Sequence, residues 1–166
     1  MGWGIYLLDR WGLWGKLAGM TNDLLATARR WAAEPARWPV RPRFDPVDRW
    51  YARLAEADDH EVWLLTWLPG QETDLHDHGG SAGAFVVVEG VLTERTVGGG
   101  GLVDTLLAAG RWRRFGPRHV HGVANRSAAP AVSVHVYGPA LRSMTRYRFD
   151  GGRLYTREIE KAGVSW

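Results

Sequence analysis

The sequence predicts a mainly β protein in which two short helices precede a β-barrel of roughly eight or more strands. Three observations predict it. From Glu61 onward, short runs rich in β-branched and aromatic residues follow one another: EVWLLTWL, AFVVVEG, VLTERTV, LVDTLLAAG, RWRRFG, HVHGVANRS, AVSVHVYG and SMTRYRFD. Each is bounded by Gly, Pro or Asn, with Glu89-Gly90 and Ala109-Gly110 as natural turns, which is the pattern of a sandwich or barrel. Before Glu61 the apolar residues are spaced as on helices, and the Pro-rich stretch EPARWPVRPRF divides them.

In chain order, residues 1–19 (MGWGIYLLDRWGLWGKLAG) are apolar but broken by Asp9, Arg10 and four glycines before Lys16. That is too interrupted for a membrane helix or a signal-peptide core. The expectation is a non-native or flexible extension, with Met20 as the native start. Residues 22–33 read as an amphipathic helix that Thr21 or Asn22 could cap. Asp45-Pro46 reads as the start of a second helix, with Asp45 as N-cap and Pro46 in the first turn, running to about Ala57. A single domain over 20–166 results, with helices over about 22–57 and a barrel over about 61–158.

The length of 166 residues suits one domain. Net charge is +3, only Lys16 and Lys161 are lysines, and no dense basic block occurs. Nucleic acid is therefore not an expected partner, and neither is a membrane. With no cysteine in the chain, disulfides and thiolate metal sites are excluded, and any metal must be held by His, Asp or Glu.

Histidine is the residue type with a pattern. Of six, His60 stands apart, while His76 and His78, and again His119 and His121, form His-x-His pairs; His135 lies further on. Residues i and i+2 of a strand share a face, so two such strands facing a barrel interior could bring three or four imidazoles to one ion. Taken singly, such pairs are more often surface or satisfied core histidines. The surrounding spacing argues for the metal. Gly70, His76-Asp77-His78, Gly83 and Gly90 resemble the first cupin motif, and Gly110 to His121 and Asn125 resemble the second. The resemblance implies a jelly-roll-like, double-stranded β-barrel of cupin type holding a metal through His76, His78 and His121, with His119 as the competing choice. Gly83 stands where cupins usually place a Glu, so the implied ligand set is neutral.

Within the cupins the chain is similar to bacterial type I cysteine dioxygenases. PAVSVHVYGP (130–139), HDHGGSAGAFVVVEGVLTE, HGVAN and Tyr51-Ala52-Arg53 carry the likeness, over about Tyr51 to Met144. It implies Fe(II) as cofactor, L-cysteine and O2 as partners, cysteine sulfinic acid as product, a monomer, and a cytoplasmic location. Ser133, His135 and Tyr137 would form a relay beside the iron, and Arg53, helped by Tyr51, would grip the substrate carboxylate. Related enzymes that prefer 3-mercaptopropionate carry Gln at the position of Arg53. Mammalian members cross-link a cysteine, at the place of Gly83, to the active-site tyrosine; here Tyr137 must be an unmodified phenol. The family's cis Ser-Pro bond corresponds to Gly138-Pro139. Trp67, Phe85 and Val87 are candidates for apolar lining. The alternatives are a 3-mercaptopropionate dioxygenase, a non-catalytic cupin binding a metal or small molecule, and a sugar isomerase, the last disfavoured by the lack of a carboxylate ligand.

Overall fold

The computed structural model describes residues 23–162; the extension expected over residues 1–19 and the caps Thr21 and Asn22 lie outside them. Helix α1, Leu24–Ala33, is capped instead by Asp23, whose carboxylate accepts from the amides of Leu25 (3.1 Å) and Ala26 (3.3 Å). A short 3₁₀ turn follows at Pro35–Arg37. Among the described residues no helix is long and apolar enough to cross a membrane.

The second helix expected from Asp45 is absent, and α1 is the only α-helix among the described residues. Asp45 does accept from the amides of Val47 (2.8 Å) and Asp48 (3.2 Å), as a cap would. The chain then bends and enters strand β1, Tyr51–Glu56. Pairing decides the outcome: β1 lies antiparallel to β2 (Glu61–Trp67) and buries Leu54. A local cap cannot outweigh a ladder of hydrogen bonds and a buried leucine, because isolated short helices are marginal in water.

Nine further strands complete the fold: β3 (Leu75–His76), β4 (Ala82–Glu89), β5 (Val91–Gly98), β6 (Gly101–Ala108), β7 (Trp112–Phe115), β8 (His121–Ala124), β9 (Ala131–Gly138), β10 (Ser143–Asp150) and β11 (Arg153–Lys161). They form a five-stranded sheet, β1-β2-β9-β4-β7, and a six-stranded sheet, β11-β10-β3-β8-β5-β6. All pairings are antiparallel. The β4–β5 turn needs Gly90 at φ +77°, where a Cβ would also run into the Pro130 carbonyl. The Gly138-Pro139 peptide is cis.

The central strands β2, β9 and β4 of the five-stranded sheet are buried on both faces, and alternation along β9 shows how. Val132, Val134 and Val136 pack outward with Val62, Leu64, Ala84 and Val86 under Leu25 and Ala28 of α1. The intervening Ser133, His135 and Tyr137 turn inward. Inside, Leu65, Trp67, Phe85, Val87, Leu92, Leu107, Phe115 and Val123 fill the space between the sheets. Asn125, fully buried, ties the loop after β8 to the end of β2: its amide donates to the carbonyls of Trp67 (3.0 Å) and Ala129 (2.8 Å).

Leu64 has no exposed surface, so Leu64→Ala should destabilise the protein by about 2–5 kcal/mol, read as a lowered urea midpoint. Asp45→Ala should leave that midpoint unchanged, since its cap starts no helix. An equal loss for Asp45→Ala would mean that residues 45–50 carry packing energy this fold does not assign to them.

Candidate metal centre

His76 ends β3 and His121 begins β8, and the two are direct cross-strand partners. His78 follows two residues after His76, and all three rings point into the barrel, buried. Their centroids form a near-equilateral triangle with sides of 4.9, 5.0 and 5.1 Å, and one ligand atom from each lies within 4.8 Å of the others.

The outer nitrogens of two rings are already committed. His76 Nδ1 lies 2.9 Å from the Asp74 carbonyl, and His121 Nδ1 lies 2.8 Å from Glu94 Oε1. A carbonyl or carboxylate can only accept here, so each Nδ1 carries the hydrogen and each Nε2 is left with its lone pair for a ligand. Burial, above all, drives the pKa of all three imidazoles below the usual histidine range, reinforced for His76 and His78 by the neighbouring rings. The rings are therefore neutral, with free lone pairs, as a metal requires. His119, the competing choice, sits outside this triangle: its Nε2 is 3.4 Å from Glu94 and its ring stacks on Phe115.

Fit to a metal can be judged from the polar atoms themselves. Among the described residues, the buried side-chain nitrogens without a hydrogen-bond partner are Arg49 Nε, Trp63 Nε1 and both ring nitrogens of His78. Such an atom costs about 1–3 kcal/mol when nothing pairs with it. His78 has no protein partner to satisfy it, and its ring is steadied by stacking on Phe115 (centroids 4.7 Å apart). A divalent ion held among the three rings would take one of its two unpaired nitrogens. Three imidazoles suit Fe, Cu, Ni or Zn alike.

Two of the three rings, His76 and His121, with His78 set behind them, line a cavity of about 180 Å³. That is below the roughly 300–1,000 Å³ of sites for drug-sized ligands, so its occupant has few heavy atoms. His76, His121, His135, Tyr137, Trp67 and Arg49 are on its wall, with Tyr51, Trp63, Leu141, Met144 and the pair Arg146–Glu160, whose N···O distance is 2.7 Å. Of the three candidate lining residues, Trp67 lines the cavity; Phe85 stacks on His135 and Val87 lies in the core between the sheets.

Ser133, His135 and Tyr137 are brought together in a chain whose direction is fixed at one end. Trp67 Nε1, which can only donate, is 2.9 Å from Ser133 Oγ. The buried Ser133 hydroxyl then has His135 Nε2, 2.9 Å away, as its acceptor. Burial keeps His135 neutral by holding its pKa well below the ordinary value. With Nε2 accepting, the ring hydrogen sits on Nδ1 and donates to Tyr137 Oη at 3.2 Å. Tyr137 thus accepts from the relay and keeps its own O–H for the cavity. Burial also raises the Tyr137 pKa, so the phenol stays protonated.

Arg53 is not brought to this cavity. It lies on β1 with its guanidinium about half exposed, 3.0 Å from Glu56 and 3.9 Å from Glu61, and is not among the residues of the cavity wall. The arginine on the wall is Arg49, stacked 4.7 Å over the Trp67 ring. Tyr51 does reach the cavity.

Comparison with known proteins bears on what this arrangement is. A model of the family described as cysteine dioxygenase type I matches residues 20–99, a span that holds His76, His78 and Gly83. Over that span the chain is similar to the cysteine dioxygenase type I family. His121 and the relay lie beyond the matched span, and the fold supplies their place. Similar crystal structures include a Thermus thermophilus protein at 28% identity, covering 60% of this chain and 90% of the other, with TM-score 0.54. A conserved Klebsiella pneumoniae protein with a double-stranded β-helix domain is 24% identical over 70% and 90% of the two chains, TM-score 0.53. An RmlC-like cupin from Desulfovibrio desulfuricans is 20% identical over 63% and 95%, TM-score 0.54. The last two bear on the fold alone, and that fold is a cupin.

Gly83, within the matched span, is the cross-strand partner of Tyr137. A Cβ there would overlap the Phe115 ring and crowd the Val136 carbonyl. Reading the sequence missed Arg49, Trp67 as the anchor of the relay, and Glu94. Only Glu94 left a signal: it is an acidic residue two positions from Leu92, on the core side of a strand.

Replacing His78 by Phe removes two unpaired nitrogens and keeps the stack on Phe115. Metal-free His78→Phe should unfold at or above the wild-type temperature, while the rise in Tm on adding a divalent metal that is expected of wild type should vanish. A large loss of metal-free stability would show that His78 is held by the protein alone.

Proposed function

We propose that the protein is a thiol dioxygenase that adds both atoms of O2 to the sulfur of L-cysteine, giving cysteine sulfinic acid, at Fe(II) held by His76, His78 and His121. The observation that carries this reading is the directed relay from Trp67 to Tyr137, which leaves one phenol proton available on the wall of a small cavity beside three neutral imidazoles. When bound, a ferrous ion supplies the redox chemistry and the affinity for thiolate that the side chains lack.

The chain's own residues account for the rest. Tyr137 donates a hydrogen bond to charge developing on sulfur or oxygen, and its strength is raised by the burial of the phenol. His135 and Ser133 hold that hydroxyl in place. Arg49 is suited to the substrate carboxylate: it lines the cavity with an unpaired Nε, and a guanidinium fork fits a carboxylate bidentately. The other cationic residue on the wall, Arg146, is engaged by Glu160, which leaves the lining with one uncommitted positive charge for one anionic group. Tyr51 and Met144 narrow the space around it.

A second reading, 3-mercaptopropionate as substrate, is favoured by one observation. Arg53, the residue type that separates the two specificities in the resemblance, does not line the cavity, which weakens the case for selection of cysteine through that residue. Oxygen uptake by iron-loaded protein, with the two thiols in parallel and sulfinate quantified, decides between them. Faster uptake with cysteine and one sulfinate per O2 supports the first reading, and the reverse preference supports the second. No uptake with either, from protein verified to contain iron, leaves a binding cupin.

Two substitutions separate the roles. A hydrogen bond to a charged group is worth about 1.5–3 kcal/mol, so Arg49→Gln should raise KM for cysteine by about tenfold or more, with Arg53→Gln nearly silent. The opposite order would return the carboxylate to Arg53. Tyr137→Phe should lower kcat while iron content, measured by mass spectrometry of the metal, is unchanged.

A further inference from the structure

The three-histidine set carries no negative charge of its own, yet a carboxylate is buried directly behind it. Glu94, on β5, is 2% exposed. Its Oε1 lies 2.8 Å from His121 Nδ1 and 3.4 Å from His119 Nε2, and its Oε2 lies 2.6 Å from Arg113 Nε. The placement comes from register: Glu94 pairs with Val123 and Thr96 with His121 across β5 and β8. Arg113 reaches in from β7, and His119 from the turn ahead of β8. Burying a carboxylate without partners is expensive; here three donors from three directions make its orientation unique.

We propose that Glu94 is a positioning residue of the metal centre. By accepting Nδ1–H from His121 it fixes that ring's tautomer and rotation so that Nε2 faces His76 and His78, and it supplies one residue outward the negative charge the ligand set lacks. Carboxylate–histidine–metal arrangements raise the basicity of the ligating nitrogen, and loss of the outer partner typically lowers metal affinity about 10–100-fold. Arg113 serves a different end. It holds the second oxygen, so that Oε1 stays on His121, while its own charge is partly solvated at 30% side-chain exposure. His76 has only a backbone carbonyl in the corresponding place, and His78 has no partner. His121 is thus the ligand made most basic, and the set is electronically unequal although all three donors are imidazoles.

The inference rests on the reading that these histidines hold a metal, and the test separates the two. Co(II) alone is titrated anaerobically into wild type, Glu94→Gln, Glu94→Asp and Glu94→Ala, following the visible Co(II) bands. Histidine tautomers in the metal-free proteins are read by long-range ¹H–¹⁵N NMR. Wild type should bind Co(II), with His121 in its Nδ1–H form. Glu94→Gln, which keeps the shape and an accepting oxygen but removes the charge, should bind about tenfold more weakly and shift the Co(II) bands. Glu94→Ala should weaken binding further and let His121 populate the Nε2–H form, with partial recovery in Glu94→Asp. Should the alanine variant fail to fold, the near-isosteric glutamine variant carries the test. Equal affinity and identical bands in wild type and Glu94→Gln, with His121 unchanged, would overturn the role given to Glu94 while leaving the metal site standing. No Co(II) binding by folded wild type would overturn the metal site itself.

Discussion

The cost of taking polar rings out of water governs this barrel. Its interior holds His76, His78, His121, His135, Ser133 and Glu94, each nearly inaccessible to solvent. A buried polar group is tolerated only when paired, so nearly every one of these has become one end of a hydrogen bond: Asp74 carbonyl to His76, Glu94 to His121, Ser133 to His135. The pairing that keeps the fold stable also decides which nitrogen of each ring faces inward. The few buried atoms left unpaired, on Arg49, Trp63 and His78, are on or behind the wall of one cavity. Stability and chemistry are thus read from the same set of satisfied and unsatisfied groups.

A second constraint is the two-residue period of β9. One face of that strand must be apolar to hold the helix, and the other must carry the relay; Val132, Val134 and Val136 alternate with Ser133, His135 and Tyr137. A slip of one residue would bury the relay under α1 and turn three valines toward the three clustered histidines. Helix α1 is therefore part of the site at one remove: by covering the outer face it makes the register worth keeping. Flanking strands β2 and β4 hold it on both sides with residue-by-residue pairing through Trp63↔His135 and Phe85↔His135.

Strands and histidine pairs were legible in the sequence because both have a period of two and depend on neighbours close along the chain. The missing second helix shows where that reading stops. Asp45-Pro46 is sound local capping chemistry, and Asp45 does bind the two amides, but whether residues 51–56 coil or extend was settled by β2, whose partnership leaves no local mark. Arg49 was illegible for a related reason. It sits in an irregular stretch with no period, and only the folded chain shows that it, rather than Arg53, lies over Trp67. Tyr51-Ala52-Arg53 matches a family pattern, but so short a pattern does not fix where the guanidinium ends. On β1 it ends beside Glu56 and Glu61, about half exposed. Trp67 and Glu94 were visible as residues, but their partners, Ser133 and His121, are strands away.

The Phe115 ring fills the ground beside Gly83 while stacking on His78. This sets an order on how the site could evolve. Any lineage acquiring a side chain at position 83, opposite Tyr137, must first trim the residue at 115, and that trimming loosens the ring on which His78 leans. The two positions are therefore coupled in sequence space, with the glycine–phenylalanine pair as one local optimum. A bulkier residue at 83 becomes reachable only through an intermediate in which the His78 ring is less well held.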